Sequence, residues 1–370
     1  MEHFLHSAQY ILSFVFVISI IVFVHEFGHY YVAKLCGVKI ETFSIGFGPE
    51  IWGWNDKSGT RWKIAVLPLG GYVKMFGDTN PASVPDSQKI AEFSQAEKKI
   101  AFHCKPLWQK AAVVIAGPAS NFLFAIVVLS CFFIYYGKPH SVPEVGSVMP
   151  GSAAEQIGLK SGDIVEELDG QKIERFEDLR VIASMNPDTK MKITYSRGGK
   201  KINGSITPKL SESHDIFGNK VKVGLLGIAS SKVEYEKIGF PRAIFEAFNE
   251  TYQLSINTLK AIGQIITGKR DSSELSGILR IGKYSGQAAE QGASAVLWLM
   301  VVLSVNLGLV NLFPIPMLDG GHLLFYAIEA ASGRPLAERF QQFGFKFGLA
   351  VLVALMLFAT FNDLKYFNLF

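Results

Sequence analysis

Apolar residues gather into four long blocks, residues 11–33, 111–136, 295–313 and 343–361. Each approaches the roughly 20 residues that a helix needs to cross about 30 Å of hydrocarbon. Backbone groups in lipid must bond within their own segment, so the blocks predict four transmembrane helices. Between the first two the pattern changes: TRWKIAV (60–66) alternates with period two after the turn-forming NDKSG (55–59), and residues 43–76 predict a small cytoplasmic sheet. Its last part, PLGGYVKMFG (68–77), pairs two adjacent glycines with an apolar run. That predicts a hairpin dipping toward the membrane, where it must be shielded by helices or line a wet cavity, because a bare strand edge in lipid is too costly. Residues 80–95, rich in Pro, Ser, Asp and Gln, predict a loop.

The segment between the second and third blocks holds a compact β-rich module over 140–230, with one copy of its pattern. EVGSVMPGSAAEQIGLKSGDIVEELDGQKI (144–173) predicts a strand, a Pro-Gly loop, a short helix over 153–157, a Gly-rich turn and a strand entering the Asp169-Gly170 hairpin. Phe176, Leu179 and Ile182 mark a second helix, and alternating strands flank Gly198-Gly199. Over 241–267, Ile244, Phe248, Tyr252, Leu259, Ile262 and Ile266 keep helical spacing and predict an amphipathic helix, lying on the membrane surface or packed on the module.

Composition agrees: 49% hydrophobic residues and a mean hydropathy of +0.25 in 370 residues point to a polytopic α-helical membrane protein. The first block lacks a preceding Lys or Arg and a small-residue cleavage site, so it is expected to stay as a span rather than leave as a signal peptide. Residues 34–110 carry eleven Lys and Arg and the stretch before carries none, which predicts that this loop faces the cytoplasm. Both termini and the module are then extracytoplasmic. The three cysteines, Cys36, Cys104 and Cys131, imply no disulfide framework in the exported part. The net charge of +4 reads as topology bias; no nucleic-acid motif accompanies it.

The first span carries VHEFGHYYVA (24–33), charge-capable groups among apolar ones. His25 and His29, four apart, share a helix face and can hold one metal ion, with Glu26 placed between them as general base for an attacking water. Zinc suits paired imidazoles and keeps an open position when the protein supplies three ligands. By chance, HExxH would arise about 0.01 times in a chain of this composition, and ionisable residues in a span mark functional interiors. The third ligand is best sought in NLFPIPMLDGGH (311–322), where Pro314 and Pro316 break the helix and Asp319 follows at the cytoplasmic end, as His25 does. His322 is a rival ligand; His103 and Cys104 fit less well.

HEFGH followed at long range by NLFPIPMLDGGH resembles the site-2 protease family of intramembrane zinc metalloproteases, specifically its bacterial RseP-type members, over nearly the whole chain. Family patterns are matched by His25, Glu26 and His29 and by Asn311, Pro314, Pro316, Leu318, Asp319 and Gly320. GFG (46–48), PLGGYVKM (68–75) and GPASN (117–121) match further segments. The resemblance implies one zinc ion on His25, His29 and Asp319, with Glu26 catalytic. It also implies a membrane-reentrant hairpin in which Gly70, Gly71, Tyr72 and Val73 offer an edge to substrate, with Asn121 and Asn311 helping to hold the unwound chain. Implied partners are transmembrane-helix substrates such as anti-sigma factors or remnant signal peptides, and the lipid bilayer of a bacterial inner membrane. The module, with PGSAAEQIGLKSGD (150–163), resembles a single PDZ domain, which filters bulky substrates or captures a peptide. Two departures stand out: the best-known relatives carry two PDZ domains in tandem where this chain has one, and LSGILRIGK (275–283) has Ile278 and Arg280 where the family has proline and glycine. Rival functions are a membrane scaffold with a structural metal and a metal transporter; neither needs Glu26 between the histidines.

Overall fold

The computed structural model describes residues 2–78, 92–140, 142–214, 220–230, 234–334 and 336–367. It forms two compact units, residues 1–129 with 244–370, and residues 130–243. Among the described residues four helices are long and apolar enough to span a membrane; three of the predicted blocks fall inside them, and the block 295–313 overruns its helix, which ends at Asn311, by two residues.

The first is α1 (Glu2–Leu35), free of proline and closed by Gly37 in the left-handed conformation, with Lys34 in its last turn opposing the negative end of the helix dipole. It runs into β1 (Ile40–Asn55) and, after a turn, β2 (Arg61–Met75). The sheet departs from the predicted hairpin at 68–77: Gly70 and Gly71 lie within β2 and do not reverse the chain. Phe47 pairs with Leu67 but Ile45 pairs with Gly71, so two extra residues on β2 make a bulge, bending it around β1. Gly70 sits in this bend at φ 130°, and a Cβ there would meet the Phe47 ring. Phe43 thus pairs with Trp62 on one side and Val73 on the other. Residues 80–91 of the expected 80–95 loop lie outside the described residues; Ser94 then caps α2 (Gln95–Ile100) with Glu97 in a reciprocal capping box.

The second span, α3 (Leu107–Tyr136), contains Pro118. α1 and α3 meet at Gly28, where a Cβ would collide with the Ala116 carbonyl oxygen; Ser120 Oγ donates to Val24 O at 2.7 Å in the same contact.

Residues 130–243 form a separate unit. Its strands are β3 (Lys138–His140), β4 (Val145–Val148), β5 (Ile164–Leu168), β6 (Gln171–Lys172), β7 (Met191–Arg197), β8 (Lys200–Ile206), β9 (Lys209–His214), β10 (Lys220–Leu225), β11 (Ile228–Ser230) and β12 (Glu234–Glu236). Two helices, α4 (Ala153–Gln156) and α5 (Phe176–Met185), accompany them. The four-stranded sheet has order β6-β5-β7-β8, and β11 returns to pair with β4. Val145, Val165, Leu168, Leu179, Met191 and Ile193, each almost fully buried, fill its core. The predicted elements up to residue 206 are present; the β9–β10 pair and the β12–β3 pair are additions.

In the first unit, α6 (Phe240–Ile266) corresponds to the amphipathic stretch at 241–267, and Thr258 Oγ1 donates to Asn306 Oδ1 at 3.0 Å. Then come α7 (Ile278–Gln291), α8 (Ala293–Asn311), α9 (Asp319–Ser332) and α10 (Glu338–Tyr366). α7 packs along the first half of α1, Gly286 lying against the Tyr10 ring, and Val17 and Ile21 of α1 bury against Met300 of α8.

Candidate metal centre

Four-residue spacing on α1 sets His25 and His29 one turn apart, both about nine-tenths buried. Their Nε2 atoms face each other at 3.3 Å. Each ring is oriented from α3. His29 Nδ1 donates to Val113 O at 2.8 Å, which leaves Nε2 with its lone pair. Gly117 makes this possible, since a Cβ there would fall inside the His29 ring. His25 Nδ1 stands 3.0 Å from Nδ2 of the fully buried Asn121, whose Oδ1 is left without a partner; exchanging the amide's O and N lets Oδ1 accept Nδ1–H and fixes the same tautomer. Ser304 of α8 donates to Asn121 O at 3.1 Å, tying the third span to the second at this depth.

The broken segment brings in the carboxylate. α8 stops at Asn311, and α9 starts at Asp319. Met317 takes a left-handed conformation at φ 84°, a strained one for a non-glycine residue. The first turn of α9 folds back tightly: a Cβ on Gly320 would strike the carbonyls of Leu312 and Phe313, and one on Gly321 that of Ile315. Gly348 of α10 lets that helix close on the Pro316 carbonyl. Asp319 Oδ2 comes within 3.3 Å of His25 Nε2, and Oδ1 within 3.5 Å of His29 Nε2.

His25, His29 and Asp319 each offer a ligand atom within 4.8 Å of the others. Two lone-pair nitrogens and a carboxylate converge, and Asp319 Oδ2 is buried without a hydrogen-bond partner. Such a cluster of acceptors suits a cation at its centre, and the nitrogen and oxygen donors are those zinc takes. The residues fit the metal. Glu26 lies between the two histidines in sequence, and Gly71 of β2 abuts its side chain: a Cβ on Gly71 would lie 2.9 Å from Glu26 Cγ.

The other expected residues divide. Gly71 and the buried Val73 lie on the α1 side of β2, whereas Tyr72 points to the opposite face and stacks on Phe47 at 6.0 Å. Asn311 ends α8 and takes no part in the hydrogen bonds around the histidines. His322, the rival ligand, stands beside the Tyr326 and Phe345 rings instead, and His103 is engaged by Asp78 at 2.7 Å. Sequence inspection missed Gly117 and the Val113 carbonyl; the available signal was a Gly-Pro step inside a span, which marks close approach and a kinked backbone.

Fold and site together define a multi-pass membrane protein in which two histidines and a carboxylate that could hold a metal ion converge. The pattern of peptidase family M50 matches residues 13–355, and the chain belongs to that family. A protein of Agrobacterium fabrum carrying a zinc-metalloprotease name is 42% identical over 96% of both chains. Metalloprotease MmpA of Caulobacter vibrioides is 38% identical over 97% of this chain and 96% of its own. A solved PDZ domain of an SdrC-like protein from Listeria innocua aligns with 26% of this chain and 99% of its own, at 24% identity and a TM-score of 0.21. The protein is a zinc metalloprotease.

Proposed function

We propose that this metalloprotease is an intramembrane endopeptidase that cuts single-span proteins, such as anti-sigma factors or remnant signal peptides, in a bacterial inner membrane. One observation carries this: the site is assembled from α1, α3 and the α8–α9 break, with His25 and Glu26 inside a helix of membrane-spanning composition. A soluble peptide needs no such location. The excess of Lys and Arg over 34–110 supports a cytoplasmic position for β1 and β2, hence extracytoplasmic termini and an extracytoplasmic module. The single β module is read as a PDZ domain that filters substrates or binds a peptide.

His25, His29 and Asp319 hold the zinc, which when bound polarises a scissile carbonyl and lowers the pKa of water. Glu26 takes the proton from the attacking water and passes it to the leaving amine nitrogen. A transmembrane helix hides its peptide bonds, so the substrate must be extended before it reacts. Residues 71–75 of β2 pair with 40–45 on one side only, among the described residues, and their free edge offers backbone groups to a substrate strand. Gly71 keeps that strand close to Glu26 because nothing projects between them.

Replacing Glu26 with Gln should leave zinc bound and lower cleavage of a reporter single-span protein by at least about 100-fold, the lower end of general-base contributions. Cleavage at the wild-type rate by purified, zinc-loaded Glu26→Gln protein would remove Glu26 from the reaction. A scaffold with a structural metal predicts no cleavage by wild type at all.

A further inference from the structure

Val22, Glu26, Tyr30 and Lys34, each four positions from the last, form one stripe along α1. Two parts of the same sheet are held on this stripe. Val22 Cγ1 and Glu26 Cγ lie 2.8 and 2.9 Å from where a Gly71 Cβ would stand. Further along, Tyr30 OH donates to Asp56 Oδ2 at 3.2 Å. Lys34 Nζ donates to the Tyr30 hydroxyl at 2.9 Å and stands 3.9 Å from the same carboxylate oxygen.

Asp56 sits in the turn between β1 and β2, and its two oxygens have separate tasks. Oδ1 accepts from Ser58 N, Ser58 Oγ and Thr60 N at 2.8, 2.7 and 3.0 Å, which shapes the turn. Oδ2 accepts from Tyr30 and, also at 3.2 Å, from the Trp62 indole N–H. A turn alone requires only the first set. The second joins the turn to α1 and to the strand that carries Trp62. From Trp62 the hold passes across the sheet: its ring stacks on Phe43 at 4.3 Å, Trp62 pairs with Phe43, and Phe43 pairs with Val73. Tyr30 closes the cluster, edge-on to both Phe43 and Trp62 at 5.7 and 5.0 Å. Burial opposes charge on the Asp56 carboxyl, but the bonds from Ser58, Thr60 and Trp62 outweigh it and hold the group well below the usual carboxylate range. It stays an acceptor at neutral pH.

We propose that Asp56 is a positioning residue of the peptidase site, gripping Tyr30 and Trp62 so that residues 71–75, and any peptide paired on them, stand at one fixed height against Glu26. This rests on the peptidase function proposed above. Backbone pairing on the strand edge does not involve Asp56, whereas reaction depends on which peptide bond faces Glu26, and a misplacement of about 1 Å costs on the order of 100-fold in rate. Loss of the grip therefore lowers kcat more than it raises KM, and lets neighbouring peptide bonds reach the base.

The test uses the full chain, zinc-loaded, with a reporter single-span substrate whose products are mapped by mass spectrometry. Asp56→Ala and Tyr30→Phe are compared, the second removing one hydroxyl while keeping the ring and the turn. The expected result is unchanged zinc content, a kcat lowered about 10- to 100-fold for Asp56→Ala and several-fold for Tyr30→Phe, KM within about twofold, and cuts spread to adjacent bonds. If Asp56→Ala fails to fold, Tyr30→Phe decides alone. A wild-type kcat and a single wild-type cut in Tyr30→Phe overturn the inference and leave the peptidase function standing. Zinc-bound wild type that cuts no single-span substrate overturns both.

Discussion

Two aspartates inside the first unit, one fully buried and one half-buried, have opposite surroundings. Asp363, near the end of α10, is fully buried and takes Gly277 N at 2.8 Å, Leu279 N at 3.0 Å, Arg280 N at 3.2 Å and Arg280 Nε at 2.6 Å. It caps the N-terminus of α7 from a helix more than 80 residues away. Arg280 Nη2 donates to the carbonyls of Ser273 and Leu275. Asp319, half-buried, faces two histidine nitrogens and, among the described residues, leaves Oδ2 without a donor. A structural charge in low dielectric is closed by donors on every side; a charge kept for chemistry is left open toward the place where an ion belongs. Arg280, a departure from the family pattern, lies on the closed side of this contrast.

Exchanging the two carboxylates for amides tests the contrast most severely. Asp363→Asn strands a buried guanidinium and should cost about 3–5 kcal/mol of stability, read from thermal unfolding in detergent, while protein that remains folded keeps its zinc. The pair Arg280→Met with Asp363→Leu should recover only part of that loss, because it removes the stranded guanidinium but still leaves the Gly277, Leu279 and Arg280 N–H groups without their acceptor. Asp319→Asn should do the reverse, losing zinc on dialysis without destabilising the metal-free protein. Equal effects of the two amides on zinc would erase the distinction.

How far each site was legible follows from its range in sequence. His25, Glu26 and His29 were readable because four-residue spacing is local to one helix, and Asp319 because Pro314 and Pro316 announce a break. Asp363 was not. Nothing in its neighbourhood says that it will cap a helix starting at Ile278, since a cap supplied across the fold leaves no capping box. The same limit governs the sheet. Gly70-Gly71 carries turn chemistry and reads as a hairpin, yet pairing with 40–45 makes it a bulge, and that choice lies in a partner about 25 residues upstream. The four spans were plain from composition, whereas Asp56 looked like an ordinary turn residue because only one of its oxygens serves the turn.

Asn121 sharpens the contrast from the open side. Its amide is the only support of His25 Nδ1 among the described contacts, so Asn121→Leu should weaken zinc affinity about 10- to 100-fold while the ligands stay in place, measured by competition against a chelator. An unchanged affinity would mean that helix packing alone orients His25.

A third aspartate, in the β module, has the closed arrangement, but the arginine that closes it is partly exposed. Asp163 accepts from Arg197 Nε and Nη2 at 2.7 Å each and from Lys160 N at 2.7 Å. The Arg197 bonds lower its pKa, burial opposes them, and the Lys160 amide adds to the lowering. Because the folded value lies below the unfolded one, the unfolded chain binds more protons. The stabilisation is complete above the ordinary carboxylate range, near 3.8, and disappears as pH falls through the lower folded value. Arg197 is about one-third exposed, so solvent screens the pair and its loss in Arg197→Gln should cost only about 0.5–1 kcal/mol at pH 7. Hydrogen exchange of β5 and β7 in the full chain, followed from pH 7 to pH 3, should show a shallower acid dependence for the variant than for wild type. An identical dependence would show that closure by donors at a wet site adds nothing, confining the contrast between Asp319 and Asp363 to the dry interior.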